Sequence, residues 1–229
     1  VDEVKSKYKV GWLHEPYCLH PETYEQAKEN RDKFDFILTY YEPFLANELP
    51  EEKINGSWHY PFRFCPYAGT WIDRHDWGIK PKSKLCSMLI GSKMSTDGHR
   101  IRHEIAAMID EQGFNVDFYG VRGESVDYSQ ETKYKVLSDY CFSIVTETCR
   151  EDNLFTEWLI DCLALGTIPI FWGAPNIHTF FDVGGILQFD TVDRCQKILH
   201  GLRPEMWRGK LASIGQNLEM VESYAVTED

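Results

Sequence analysis

From about residue 84 onward the chain alternates short apolar runs with helix-forming stretches, and this rhythm restricts the available folds more than any other feature. Residues 85–90 read as a strand, 99–112 as a helix closed by Gly113, and 116–119 as a second strand. Residues 133–138 lead into a strand over 140–146. A polar loop at 147–153, a helix over 155–165 closed by Gly166, and a strand over 168–172 follow. Strands joined through helices pair in parallel, so the pattern predicts a mostly parallel sheet covered on both faces. Ligands of such sheets bind at the carboxyl ends of the strands. The loops 91–98, 147–153 and 173–176 are therefore expected to line one site.

The first part of the chain repeats the rhythm on a smaller scale, with a strand over 8–13, a helix over 22–33 and a strand over 34–40. Pro43, Pro50, Pro61, Pro66 and Pro81 then punctuate a loop-rich stretch that reads as a boundary. The expected class is α/β, with two Rossmann-like α/β/α domains of mostly parallel sheet, the N-terminal one small: residues 1–80 and 81–229. A helical tail over 204–224 is expected to pack back across the other domain.

With 229 residues, 43% of them hydrophobic and 14% aromatic, the chain is too apolar for disorder, and no run approaches the ~18 apolar residues of a membrane span. The formal charge of -12 argues against a nucleic-acid partner, so an anionic ligand must meet a local basic pocket. None of the seven cysteines forms a C-x-x-C pair, so neither a zinc knuckle nor a dithiol site is expected, and most read as buried thiols. The charged residues 1–9 do not resemble a signal peptide, and Asn55-Gly56-Ser57 fits the glycosylation sequon. A cytoplasmic microbial or viral protein and a trimmed secretory-pathway domain both fit these features.

Two segments carry the chemistry. Residues 91–102 place glycines, hydroxyls, Lys93, Arg100 and Arg102 between a strand and a helix start, where backbone amides and cations can cradle a diphosphate. The same composition also suits a solvated surface loop. Residues 140–158 lead from a strand through a polar loop to a helix start, where the carboxylate of Glu157 can take both hydroxyls of a ribose.

This second segment resembles the donor-site signature of the α-1,3-fucosyltransferases, a family of GT-B class. Glu147, Thr156 and Glu157 fall in register with it, as do Leu163, Gly166, Pro169 and Gly173. Upstream, Ser92 and Arg100 are similar to the family's Ser-Asn and following arginine. His14-Glu15-Pro16 resembles its Glu-Ser-Pro, and residues 36–40 resemble the strand that comes after it. The resemblance covers about residues 8–195. It implies a GT-B-like fold and an inverting glycosyl transfer, most simply of L-fucose from GDP-fucose to a hydroxyl of a glycan acceptor. Glu15 is then the base, and Ser92, Lys93, Arg100, Glu147, Arg150, Asn153, Thr156, Glu157 and Trp158 form the donor site.

The sequence departs from the family at several positions. Trp158 stands where the family has a phosphate-binding lysine, and Thr148, Asn153 and Leu154 replace its Asn, Asp and Tyr. Either Lys93 or Arg150 could restore the missing cation, while Trp158 could stack on a base or sugar or fill core volume. Another donor, such as UDP-xylose, and a non-catalytic nucleotide-sugar or glycan-binding module therefore stand as alternatives. His14, His99 and His103 are second choices for acid or base work. No Asp-x-Asp motif is present, so neither a metal nor a cofactor is expected beyond the sugar nucleotide itself.

Overall fold

A computed structural model describes residues 7–46, 61–127 and 129–224, together with the strands at 52–54 and 57–59; Asn55 and Gly56 of the sequon lie outside the described residues. The chain opens with β1 (Val10–Trp12), α1 (Pro21–Glu29), β2 (Phe36–Thr39), α2 (Glu42–Leu45), β3 (Glu52–Ile54), β4 (Ser57–His59) and β5 (Phe62–Phe64). β1, β2 and β5 form a three-stranded parallel sheet in the order β1-β2-β5, and β3 pairs with β4 as an antiparallel ribbon. Helix α1 stops short of the predicted end. Asn30 terminates it, and Arg31–Lys33 continues as a 3-10 turn. Tyr24 of α1 packs with Ile37, Tyr40, Phe44 and Phe62 to form the small core of this sheet.

The larger unit runs β6 (Lys84–Ile90), α3 (Asp97–Gln112), β7 (Asp117–Gly120), α4 (Gln130–Leu137), β8 (Tyr140–Thr146), α5 (Glu157–Ala164), β9 (Ile168–Trp172), β10 (Leu187–Gln188), α6 (Val192–Gly201), α7 (Pro204–Arg208) and α8 (Leu211–Val221). Its five strands are all parallel, in the order β10-β9-β8-β6-β7. Every residue of β8 and β9 is buried, because α3 and α6 cover one face of the sheet and α4, α5 and α8 cover the other. Phe142 and Phe155 are fully buried, and truncating either to Ala would cost about 3–5 kcal/mol.

Side-chain caps set where the helices begin. Thr96 Oγ1 accepts from the His99 amide at 3.3 Å, so α3 starts earlier than its apolar periodicity suggests. Thr156 Oγ1 accepts from the Trp158 amide at 3.4 Å, so α5 starts later. At the opposite ends, Lys82 Nζ donates to Ser138 O, Leu165 O and Thr167 Oγ1 at 2.8, 2.9 and 2.8 Å, satisfying carbonyls just beyond α4 and α5.

The tail stays with the larger sheet. Helix α8 rests on α5 and on the 3-10 turn Val183–Gly185, and Tyr224 packs edge-on against Phe155, with ring centroids 5.4 Å apart. Glu222, just past α8, is paired with Arg74 of the connecting stretch. Among the described residues no helix is long and apolar enough to cross a membrane.

Candidate active site

A cleft of about 520 Å³ opens where the carboxyl ends of β6 and β8 meet the turn that follows β1. One wall carries Glu15, Pro16 and Tyr67; the opposite wall carries Gly91, Ser92 and Lys93 after β6. Glu15 is exposed and borders this space, while its backbone carbonyl accepts from Tyr24 Oη at 2.8 Å, which fixes the turn on α1. Burial first, and then the negative fields of Glu15, Glu157 and Glu147, push the Tyr67 phenol up to about 12.

The cationic side of the cleft is built around the start of α3. Gly98 lies against the end of β8 so closely that a Cβ would stand 1.7 Å from Glu147 O, and its amide donates to Thr148 O at 3.1 Å. This seating brings the start of α3, with its positive dipole end, to the cleft, while the amides of Gly98, His99 and Arg100 are already taken by Thr148 O, Thr96 Oγ1 and Thr96 O. Lys93, Arg102 and His99 line the same corner. Arg102 is anchored to β8, donating through Nε to Thr146 Oγ1 at 2.8 Å and through Nη2 to Thr146 O at 2.9 Å. Burial and the neighbouring Arg102 and Lys93 charges hold the His99 imidazole below its usual value, so it is a neutral hydrogen-bonding group near neutral pH.

Arg100, the arginine expected at the diphosphate, does not line the cleft. It is exposed and pairs with Asp97 on its own helix. Positions two apart on a helix are about 200° apart around the axis, so when Arg102 faces the cleft Arg100 faces solvent. The cleft-lining arginine of α3 is Arg102, on the face opposite Arg100.

Glu147, Thr156 and Glu157 converge as expected. The Glu147 carboxylate is fully buried and accepts from the Thr156 amide at 2.9 Å and from Thr156 Oγ1 at 3.2 Å, pinning the start of α5 to the end of β8. Gly173 leaves room for it, since a Cβ there would come within 2.6 Å of the Glu147 side chain. Burial is the main cause raising the Glu147 pKa to about 8. The 173–176 loop thus stands behind Glu147 and does not line the cleft.

Lys133 of α4 also lines the cleft, and sequence reasoning missed it. Its ammonium donates to Asp161 Oδ2 at 2.9 Å and Glu157 Oε1 at 3.2 Å. It lies 3.3 Å from the Trp158 ring centroid and 5.0 Å from that of Trp71. Asp161 is buried, and its other oxygen accepts from Thr70 Oγ1 at 2.7 Å and the Trp71 amide at 2.8 Å. Trp158 therefore neither fills core volume alone nor stands free to stack: its ring faces a cation supplied by a different helix. The only sequence signal was a lysine on the apolar side of a short helix, beside Val136 and Leu137.

Two predicted donor residues lie elsewhere. Arg150 is exposed and does not border the cleft. Asn153 is buried at φ 65°, exchanges hydrogen bonds with Asn176, and donates from Nδ2 to Tyr40 O at 3.1 Å and Glu42 Oε2 at 2.8 Å. It ties the donor loop to the small sheet, a role its short amide and tolerance of positive φ suit. Of the alternative histidines, His14 stacks on Tyr67 at 4.1 Å, and the His103 ring leaves Nε2 buried without a partner among the described residues.

The family model for glycosyltransferase family 10 (fucosyltransferase), C-terminal part, matches residues 79–203, more than half of the chain. The chain belongs to glycosyltransferase family 10. This family 10 chain is 38% identical over 55 residues to GDP-fucose protein O-fucosyltransferase 3 of Danio rerio, a match covering 24% of the chain and 12% of that protein. It is 30% identical over 82 residues to alpha-(1,3)-fucosyltransferase FucT of Helicobacter pylori, covering 33% of the chain and 17% of that protein. The matched part thus spans under a fifth of either relative.

Among solved structures, an alpha1,3-fucosyltransferase with GDP-fucose aligns over 96% of the chain and 75% of its own length, with a TM-score of 0.51 and 16% identity. S. aureus TarM in complex with UDP and other ligands aligns over 99% of the chain and 50% of its own length, with a TM-score of 0.64 and 14% identity. Such identities speak to fold alone, and the fold of this family 10 chain is GT-B.

Proposed function

We propose that the chain is the catalytic core of an inverting fucosyltransferase, moving L-fucose from GDP-fucose to a hydroxyl of a glycan acceptor. The division of labour follows the two sheets: residues 1–80 serve the acceptor and residues 81–229 hold the donor. The observation that carries this reading is the pairing, across one cleft, of an exposed carboxylate with a cationic helix start at the strand ends. Glu15 takes the proton of the acceptor hydroxyl as its oxygen attacks the anomeric carbon. The bond from that carbon to the diphosphate breaks through an oxocarbenium-like transition state. Arg102, Lys93 and the positive end of the α3 dipole stabilise the charge that develops on the departing diphosphate. Glu157 takes the ribose hydroxyls, and no metal is required in this scheme. GDP bound in calorimetric titration in the presence of EDTA, with fucose transfer lost in Glu15→Gln, supports the reading; absence of GDP binding overturns it.

A second reading, transfer from another nucleotide sugar such as UDP-xylose, is favoured by the Trp158–Lys133 pair. That cation is already engaged by Asp161 and Glu157, whereas the family's lysine faces donor phosphate. UDP bound in preference to GDP in the same titration selects it.

A further inference from the structure

We infer that Cys18 and Cys149 form a reversible disulfide that fastens the two walls of the cleft to each other. Cys18 sits in the turn that also carries Glu15, and Cys149 sits in the loop between β8 and α5, beside the cleft residues Glu147 and Thr148. The two positions are remote in sequence and belong to different sheets. Yet their sulfurs and a Glu151 oxygen all lie within 4.8 Å of one another. Both thiols are free, Cys18 exposed and Cys149 buried beneath it.

The local chemistry divides the two roles. The neighbouring Cys149 side chain is the main cause holding the Cys18 thiol below its ordinary value, which favours its thiolate. The nearby Cys18 side chain, and then burial, push Cys149 up. Glu151 is oriented beside the pair because Tyr40 Oη donates to its Oε2 at 2.7 Å, and Tyr40 Oη in turn accepts from the Tyr17 amide at 2.9 Å. An exposed, thiolate-prone sulfur close to a sheltered partner is the arrangement of an attacking and a resolving thiol.

The oxidant is a low-molecular-weight disulfide of the glutathione class. The Cys18 thiolate attacks one of its sulfurs, forming a mixed disulfide and releasing one small thiol. Cys149 passes its proton to Glu151 and on to solvent, and its thiolate attacks the Cys18 sulfur, expelling the second small thiol. Two protein thiols lose two electrons and two protons, and the small disulfide is reduced to two thiols. The product covalently links the Glu15 turn to the loop that positions α5.

A metal ion held by Cys18, Cys149 and Glu151 is the competing use of the cluster. The observed geometry favours the bond between sulfurs, since the two thiols lie within 4.8 Å of each other and one Glu151 oxygen is committed to Tyr40. The test incubates the full chain with oxidised glutathione, blocks remaining thiols under denaturing conditions, and maps the peptides by mass spectrometry. The expected result is a Cys18–Cys149 linked peptide that dithiothreitol reverses, with a thermal midpoint above that of the reduced protein. In Cys149→Ser, Cys18 should instead stop at the mixed disulfide. Three results overturn the inference: wild-type protein that carries only glutathionylated Cys18, thiols that stay unmodified, or stoichiometric zinc that shields both thiols and is lost in Glu151→Gln.

Discussion

The Lys133 ammonium stands 3.3 Å from the centre of the Trp158 ring while also pairing with the buried Asp161 carboxylate. Trp158 of α5 thus sits against a lysine of the neighbouring helix, whose charge is engaged by Asp161 and Glu157. Cation–π contact and a buried ion pair hold α4 against α5 at the floor of the cleft.

Lys133→Met removes that charge and leaves the buried Asp161 carboxylate without its counter-ion. The expected loss is about 3–5 kcal/mol of folding stability, as for other buried pairs deprived of one partner. Denaturant melting of Lys133→Met alongside the double variant Lys133→Met/Asp161→Asn checks the cause: the double variant should recover much of the loss.

Arg102→Ala should weaken nucleoside diphosphate binding by about tenfold or more, because it removes a charge-assisted contact in a sheltered cleft. Arg100→Ala, on the solvent side of the same helix, should change affinity by less than about twofold. Titrating both variants with the same nucleotide decides between the two arginines; equal losses would return Arg100 to the site.

Glu15→Gln keeps size and hydrogen bonding and removes only basicity. Turnover should fall by about 10²–10⁴-fold with nucleotide affinity unchanged. Parallel loss of binding and turnover would instead mark Glu15 as a structural residue of the turn.

Glu147 ties stability to pH. Its folded value of about 8 lies above the ordinary 4.5, so the folded protein keeps a proton that the unfolded chain releases across that interval. The contribution is fully present below pH 4.5 and is lost as pH rises through about 8. Urea midpoints should therefore decline from acid to neutral pH in the wild type and much less in Glu147→Gln. Parallel curves for the two proteins would contradict this.

The sequence made the larger sheet legible because burial on both faces leaves continuous apolar runs in β8 and β9, and helices separate the strands at readable intervals. The start of α5 at Thr156 and Glu157 was legible too, since a capped helix start has a local signature. What was not legible shares one physical origin: it concerns direction around a helix or contact across the chain. Arg100 and Arg102 are both plausible until the Thr96 cap and Gly98 contact fix the register of α3. Lys133 and Asp161 become partners only when α4 packs on α5, and Cys18 meets Cys149 only when two sheets are juxtaposed. Asn153 looked like a ligand residue because its use, holding a positive-φ turn against the small sheet, has no local pattern.

Cys149 and Leu154 are buried among Leu13, Tyr24, Ile37 and Phe62, although they belong to the loop that leads into α5. Three strands and their covering helices are too few to hide their own aromatic surface, and the small sheet completes its interior with borrowed residues. Its melting is then bound to that of the larger sheet: detaching one tears open the other, and calorimetry should record a single cooperative transition. The same borrowing limits how such a protein can be recombined. A transplanted small sheet that leaves residues 149–154 behind arrives with a hole in its middle.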